Sequence, residues 1–103
     1  MEHRWGKRIP TDIPVRLRCR MGTEFDGRIV NISGSGALIR VTCPLNLLLR
    51  IDIDLDGHSI PSFVSRVESN GVGVEWCVPS PDLLRIAGRA QQRVVKIFTG
   101  PVA

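Results

Sequence analysis

Val15, Leu17 and Cys19 alternate with Arg16, Arg18 and Arg20, and this period of two predicts a strand with one face in a core and the other in water. Met21-Gly22-Thr23 turns the chain into a second strand over residues 24–31, where Phe25, Ile29 and Val30 are apolar. The polar, glycine-rich Ser33-Gly34-Ser35-Gly36 then predicts a tight turn into a third strand over residues 37–42. Beyond Pro44, residues 45–56 read as one long extended stretch, with Ile51, Ile53 and Leu55 alternating against Asp52, Asp54 and Asp56. Asp56-Gly57 is a two-residue hairpin signal, and the returning strand carries Ile60 and residues 63–67. Pro61, which lacks an N–H, predicts an edge, a bulge or a strand start at that point. Asn70-Gly71 marks another turn, ahead of Val72-Gly73-Val74-Glu75-Trp76-Cys77-Val78.

The grammar changes at Pro79-Ser80-Pro81-Asp82, where Ser80 is placed to cap a helix, with Pro81 in its first position and Asp82 in its first turn. Leu83, Leu84, Ile86, Ala87, Ala90, Val94 and Val95 give that helix one apolar face, interrupted by Gly88. Six strands joined by short turns, followed by one helix, predict an all-β fold: a six-stranded antiparallel barrel with a C-terminal helix over one end or side. Closure removes the exposed edges that an open sheet of this size would carry. The chain divides into an arginine-containing N-terminal segment (1–10), the barrel with its helix (11–98) and a terminal tail (99–103).

A length of 103 residues suits one domain, and 43% apolar with 23% charged residues suits a globular one. No apolar run is long enough to span a bilayer, and the basic N-terminus has no apolar stretch behind it, so a cytoplasmic location is the expectation. The net charge of +4 is uneven: residues 1–50 hold nine Arg or Lys against four Asp or Glu, and residues 51–103 hold five against six. An anionic partner therefore meets its best field in the first half. Cys19, Cys43 and Cys77 lack paired metal-ligand spacing, His3 and His58 do not complete a zinc pattern, and the cysteines read as reduced residues packed in or near strands. The sequence has no phosphate-binding glycine loop and no histidine–cysteine arrangement for catalysis, and the run Asp52, Asp54, Asp56 reads as the wet side of a strand. Neither an enzymatic activity nor a cofactor is expected.

Two short motifs carry chemistry. Arg4 and Arg8 flank Trp5-Gly6-Lys7, and a guanidinium can fork onto phosphate or a guanine edge and also stack on a flat base. By itself this spacing is equally that of a solvated basic tail. In Asn31-Ile32-Ser33-Gly34-Ser35-Gly36, an inward Ile32 would leave Asn31 and Ser33 projecting together on the opposite face. Their carboxamide and hydroxyl suit the mixed donor and acceptor edge of a purine, and Gly36 permits a tight turn or a close backbone approach. By itself this is also a polar β-turn.

Together and in this order, Arg4-Trp5-Gly6-Lys7-Arg8 and Asn31-Ile32-Ser33-Gly34-Ser35-Gly36 resemble the paired Arg-x-x-x-Arg and Asp/Asn-x-Ser-x-x-Gly motifs of the PilZ family. Gly73-Val74-Glu75-Trp76 is similar to the Gly-Val-x-Phe strand of that family, with tryptophan for phenylalanine. The resemblance implies a bacterial receptor for cyclic di-GMP in second-messenger signalling, with that dinucleotide as its regulatory ligand. By residue matching, Arg4 and Arg8 would hold phosphates and guanines, Asn31 and Ser33 would read guanine and phosphate at the barrel edge, and Gly36 would preserve the turn. Trp5, Arg28 and Arg66 are secondary ligand candidates. Family members take one nucleotide or an intercalated pair, and His3, beside the first motif arginine, does not choose between them.

Binding would order the N-terminal segment across the barrel and so present a changed surface to a downstream protein. Two other classes compete. One is an RNA- or DNA-binding barrel, favoured by the positive first half but lacking an evident ladder of aromatic residues. The other is a PilZ-like protein-interaction module without nucleotide binding, against which the retained Arg4, Arg8, Asn31, Ser33 and Gly36 argue.

Overall fold

A computed structural model describes residues 8–79 and 82–99, the last six of them by backbone alone. Six strands, β1 (Ile9–Cys19), β2 (Glu24–Ile32), β3 (Gly36–Val41), β4 (Arg50–Leu55), β5 (His58–Glu68) and β6 (Gly71–Trp76), precede one helix, α1 (Asp82–Thr99). The strands close into an antiparallel barrel in the order β1-β2-β3-β6-β5-β4. The expected all-β barrel with a C-terminal helix is the observed fold. Its β1 opens at Ile9, within the segment assigned to the arm.

The interior follows the alternation. Leu17, Ile29, Ile39, Ile53 and Val64 are fully enclosed, and their neighbours along each strand face out. Strict alternation fails where the register shifts. Ile29 pairs with Ile39 but Asn31 pairs with Leu38, so Val30 is an extra residue in β2. The bulge turns both Val30 and Asn31 outward and returns Ile32 to the core, where it is 1% exposed. Ser65 is the extra residue of a second bulge, in β5. A third shift, between Pro10 and Ile13, is bridged by the Thr11 hydroxyl, which donates to the Ile29 carbonyl at 2.9 Å.

Three sequence expectations change. Residues 45–49 are not strand: Leu45 folds back as a buried plug, Leu48 takes a φ of 67°, and extended pairing with β4 geometry begins at Arg50. Pro61 is not a strand start but lies inside β5, opposite Asp52, and its other side is a local edge where β6 has ended. Its carbonyl accepts from Cys77 N–H at 2.9 Å, so its nitrogen faces the same side, just past the last β6 pair, where no ladder bond is lost. Asp56 does not share the wet face of Asp52 and Asp54. With Gly57 it makes the hairpin turn at φ of 51° and 81°, and its carboxylate is only 6% exposed beneath α1.

The helix lies across the barrel end that holds the start of β1 and the β4–β5 turn, burying Leu83, Ile86, Ala87 and Ala90. Val94 and Val95, also assigned to that face, lie outside the described side chains, and Ser80 and Pro81 outside the described residues. Polar contacts fix the docking. Gln91 Oε1 accepts from the Asp12 backbone N–H at 2.7 Å, and the Arg93 guanidinium lies 2.8 Å from Asp56 Oδ1 as an ion pair off the line of a hydrogen bond. Arg89 stands 4.0 Å from the other oxygen. Leu45 closes the opposite end.

Candidate functional site

Arg8 immediately precedes β1, and Asn31 is the next-to-last residue of β2, opposite Pro10. Although 23 residues apart in sequence, they touch: Arg8 Nη1 donates to Asn31 Oδ1 at 2.7 Å. The β2 bulge makes the contact possible, because it holds the carboxamide on the outer surface within reach of the arm. Arg8 remains exposed and Asn31 half-buried, so further faces of both groups remain open to solvent. Arg4 and Trp5 lie outside the described residues, as does His3.

Ser33 corrects an expectation. It does not project with Asn31 but is 3% exposed, because the chain leaves β2 at Ile32 and folds inward. Its backbone N–H donates to the Gly36 carbonyl at 2.8 Å. Its hydroxyl lies 3.2 Å from Ser35 Oγ and accepts from Ser35 N–H at 3.3 Å. Ser33 therefore shapes the loop beside Asn31. Gly36 is required by packing: a Cβ there would stand 2.0 Å from the Val74 carbonyl oxygen, so β3 and β6 can approach only with glycine at this position.

Trp76 is the residue that sequence reasoning passed over. Its ring is 2% exposed in the core, its backbone N–H donates to the Ser35 carbonyl at 2.9 Å, and its indole Nε1–H donates to the Ser33 carbonyl at 3.2 Å. Both donors thus hold the loop that follows Asn31. A phenylalanine would fill the core without the second bond, and the exchange of Phe for Trp in the Gly-Val-x-Phe pattern was the available signal.

The secondary candidates separate. Arg66 joins Asn31 on one transverse row of the outer surface, through the registered pairs Asn31–Leu38, Leu38–Gly73 and Gly73–Arg66. Three strand spacings put it roughly 14 Å away. Its guanidinium leans over Gly73, where a Cβ would meet Arg66 Cζ at 3.2 Å, and it pairs with Glu68. Arg28 faces outward with Nη1 2.9 Å from Asp12 Oδ1. The β1 arginines are committed elsewhere: Arg16 bonds Asp26 at 2.8 Å and Glu24 at 3.1 Å, and Arg18 bonds Asp54 at 2.6 Å and Ser59 at 2.9 Å. The hydrogen bond to Asp26 above all, then that to Glu24, raises the Arg16 guanidinium above its ordinary value. Asp54 thus serves as a cross-strand partner.

A PilZ-domain family model matches residues 2–90, which takes in both motifs, all six strands and the first half of α1. The chain belongs to the PilZ family. No curated protein matches it. Among solved structures, the PilZ domain of CeSA from a cellulose-synthesizing bacterium matches with a TM-score of 0.63 and 22% identity, over 87% of this chain and 99% of that one. At that identity the likeness establishes the fold. PilZ domains form a family of cyclic di-GMP-binding and adaptor modules that act as regulatory receptors. Among the described residues, no helix is long and apolar enough to cross a membrane, and no cluster of side chains has the makings of a metal site.

Proposed function

We propose that this PilZ domain binds cyclic di-GMP between its N-terminal arm and the outer barrel edge, and that binding changes the surface it offers to a downstream protein. The contact between Arg8 and Asn31 carries this reading, because it unites the two motif halves on one exposed surface. Arg8 supplies the forked cation for a phosphate or a guanine edge, and Asn31 supplies a carboxamide that can both donate and accept. Arg4 and Trp5 extend the arm. Ser33, with its hydroxyl turned into the loop, acts by holding Asn31 in place, and Gly36 keeps the loop close to β6. Arg66, on the same outer row, lies where the far side of a dinucleotide would reach.

The Arg8 guanidinium is bonded to Asn31, so nucleotide binding must exchange or share that bond. Ordering the arm costs entropy that charge-assisted contacts and base stacking offset. The test is calorimetry at fixed ionic strength with cyclic di-GMP, GMP and a short RNA. We expect selective binding of cyclic di-GMP, weakened about tenfold or more by Arg8→Ala or Asn31→Ala, as the loss of one charge-assisted bond requires. Tighter, steeply salt-dependent binding of the RNA would replace the reading with that of a polynucleotide-binding barrel.

A further inference from the structure

Arg28 and Arg40 sit directly opposite each other across β2 and β3, both pointing outward. Like charges in this position destabilise a sheet, so the fold gains nothing from the pair. Arg28 is partly compensated by Asp12, whereas Arg40 has no counter-charge among the described residues. Both line a shallow, open hollow of the surface of about 910 Å³, walled by Pro14 and Val41 and rimmed by Asp26, Thr42, Ser69 and Asn70. Of the nearby carboxylates, Asp26 is bonded to Arg16 and Glu68 to Arg66. A second hollow of about 210 Å³, lined by Val30 and Leu38, shares Arg40 and Asn70 with the first and leads back towards Asn31.

An apolar wall, two facing guanidiniums and a rim of hydroxyl and amide groups form a setting for a phosphodiester with a flat group attached. We propose that Arg28 and Arg40 form a phosphodiester-binding site of their own on the outer face of β2 and β3. It lies roughly 7 to 10 Å along the strands from Arg8 and Asn31, a separation of two or three residues. The bound anion removes the repulsion between the two arginines, and it competes with Asp12 for Arg28. The site stands apart from the arm reading and can hold or fall without it.

The test follows the Nε–Hε and backbone signals of Arg28 and Arg40 by NMR in the full chain. Cyclic di-GMP and, separately, inorganic phosphate are titrated in, with calorimetry alongside. Both arginines are expected to shift. Arg40→Ala should weaken the binding that moves Arg28 about tenfold or more, Arg40→Lys should retain most of it, and Asp12→Asn should tighten it severalfold. Arg40→Ala should also raise the thermal midpoint of the free protein, a gain that a merely structural arginine would not give. Unchanged affinity and stoichiometry in Arg40→Ala, or no movement of Arg28 and Arg40 with either ligand, would overturn the proposal. If Arg8→Ala abolishes nucleotide binding while Arg40→Ala leaves it intact, the arm reading stands alone. If phosphate moves Arg28 and Arg40 but cyclic di-GMP is ignored, the pair is a simple anion site and the phosphodiester proposal falls.

Discussion

Trp76 shows how one side chain can serve the core and the proposed binding surface together. Trp76→Phe keeps most of the ring in the barrel but removes the indole N–H from the Ser33 carbonyl. The expected cost is about 1 kcal/mol in denaturant unfolding, the net worth of one hydrogen bond, with faster amide exchange confined to residues 33–35. Gly36→Ala is more severe. Its Cβ would meet the Val74 carbonyl oxygen, so β3 and β6 must separate and the midpoint of unfolding should fall steeply. The cysteines divide by environment. Burial first, and then the neighbouring Cys43, raises the Cys19 thiol above its ordinary value, while Cys77 is exposed after β6. A thiol-specific maleimide should therefore label Cys77 first and Cys19 last. A raised folded value means that the native state holds this proton longer than the unfolded chain. The stability due to Cys19 is therefore full below the ordinary thiol value and lost as pH rises from there through the raised folded value, a loss that Cys19→Ala should lessen. The sequence disclosed Gly36 and Asn31 through their motif, but it placed Ser33 on the wrong face. The rule of alternate residues holds only while the strand lasts, and the chain leaves β2 at Ile32 and folds inward before Ser33.

At the scale of elements, the strands and most turns were legible because apolar alternation and glycine-bearing turns act locally. Asp56-Gly57 illustrates this, since both residues take the positive φ that a two-residue hairpin demands. The stretch from Leu45 to Leu49 was misread as strand, because a run of leucines has the same composition whether it extends a sheet or plugs a barrel. Only the closure of the far end decides between them. The depth of Asp56 was equally hidden, since it depends on where α1 docks. That carboxylate is the latch of the helix, facing Arg93 at 2.8 Å and Arg89 at 4.0 Å. Asp56→Asn tolerates the same backbone but removes the charge, and it leaves two cations over the barrel end. We expect α1 amides to exchange faster while β2 and β3 amides keep their protection, measured by native-state hydrogen exchange. Uniform loosening of the barrel would instead mean that the helix and the strands form a single cooperative unit.

For the molecule as a whole, Arg8, the loop after Asn31 and the helix gather at one end of the barrel, and a polar chain joins Arg28 of β2 to the helix. Arg28 meets Asp12 through its side chain, and Asp12 meets Gln91 of α1 through its backbone N–H. A ligand that draws on Arg8 at the start of β1, or on Arg28, therefore pulls on the strand that anchors the helix. This gives the proposed receptor a route from its ligand to a second surface without any large rearrangement of the core. Cyclic di-GMP at one hundred times its dissociation constant should raise stability by about 2.7 kcal/mol through preferential binding to the folded state. The same addition should shift backbone signals near Arg8 and Asn31 and, through Asp12, those around Gln91. Gln91→Ala cuts the link without touching either arginine. It should therefore leave the ligand-dependent stabilisation and the shifts at Arg8 and Asn31 intact while silencing those in α1. Shifts in α1 that persist in Gln91→Ala would show that the helix senses the ligand by another path, through the apolar contacts of Leu83, Ile86 and Ala87 with the barrel end. No shift in α1 of the parent protein would confine the changed surface to the arm itself.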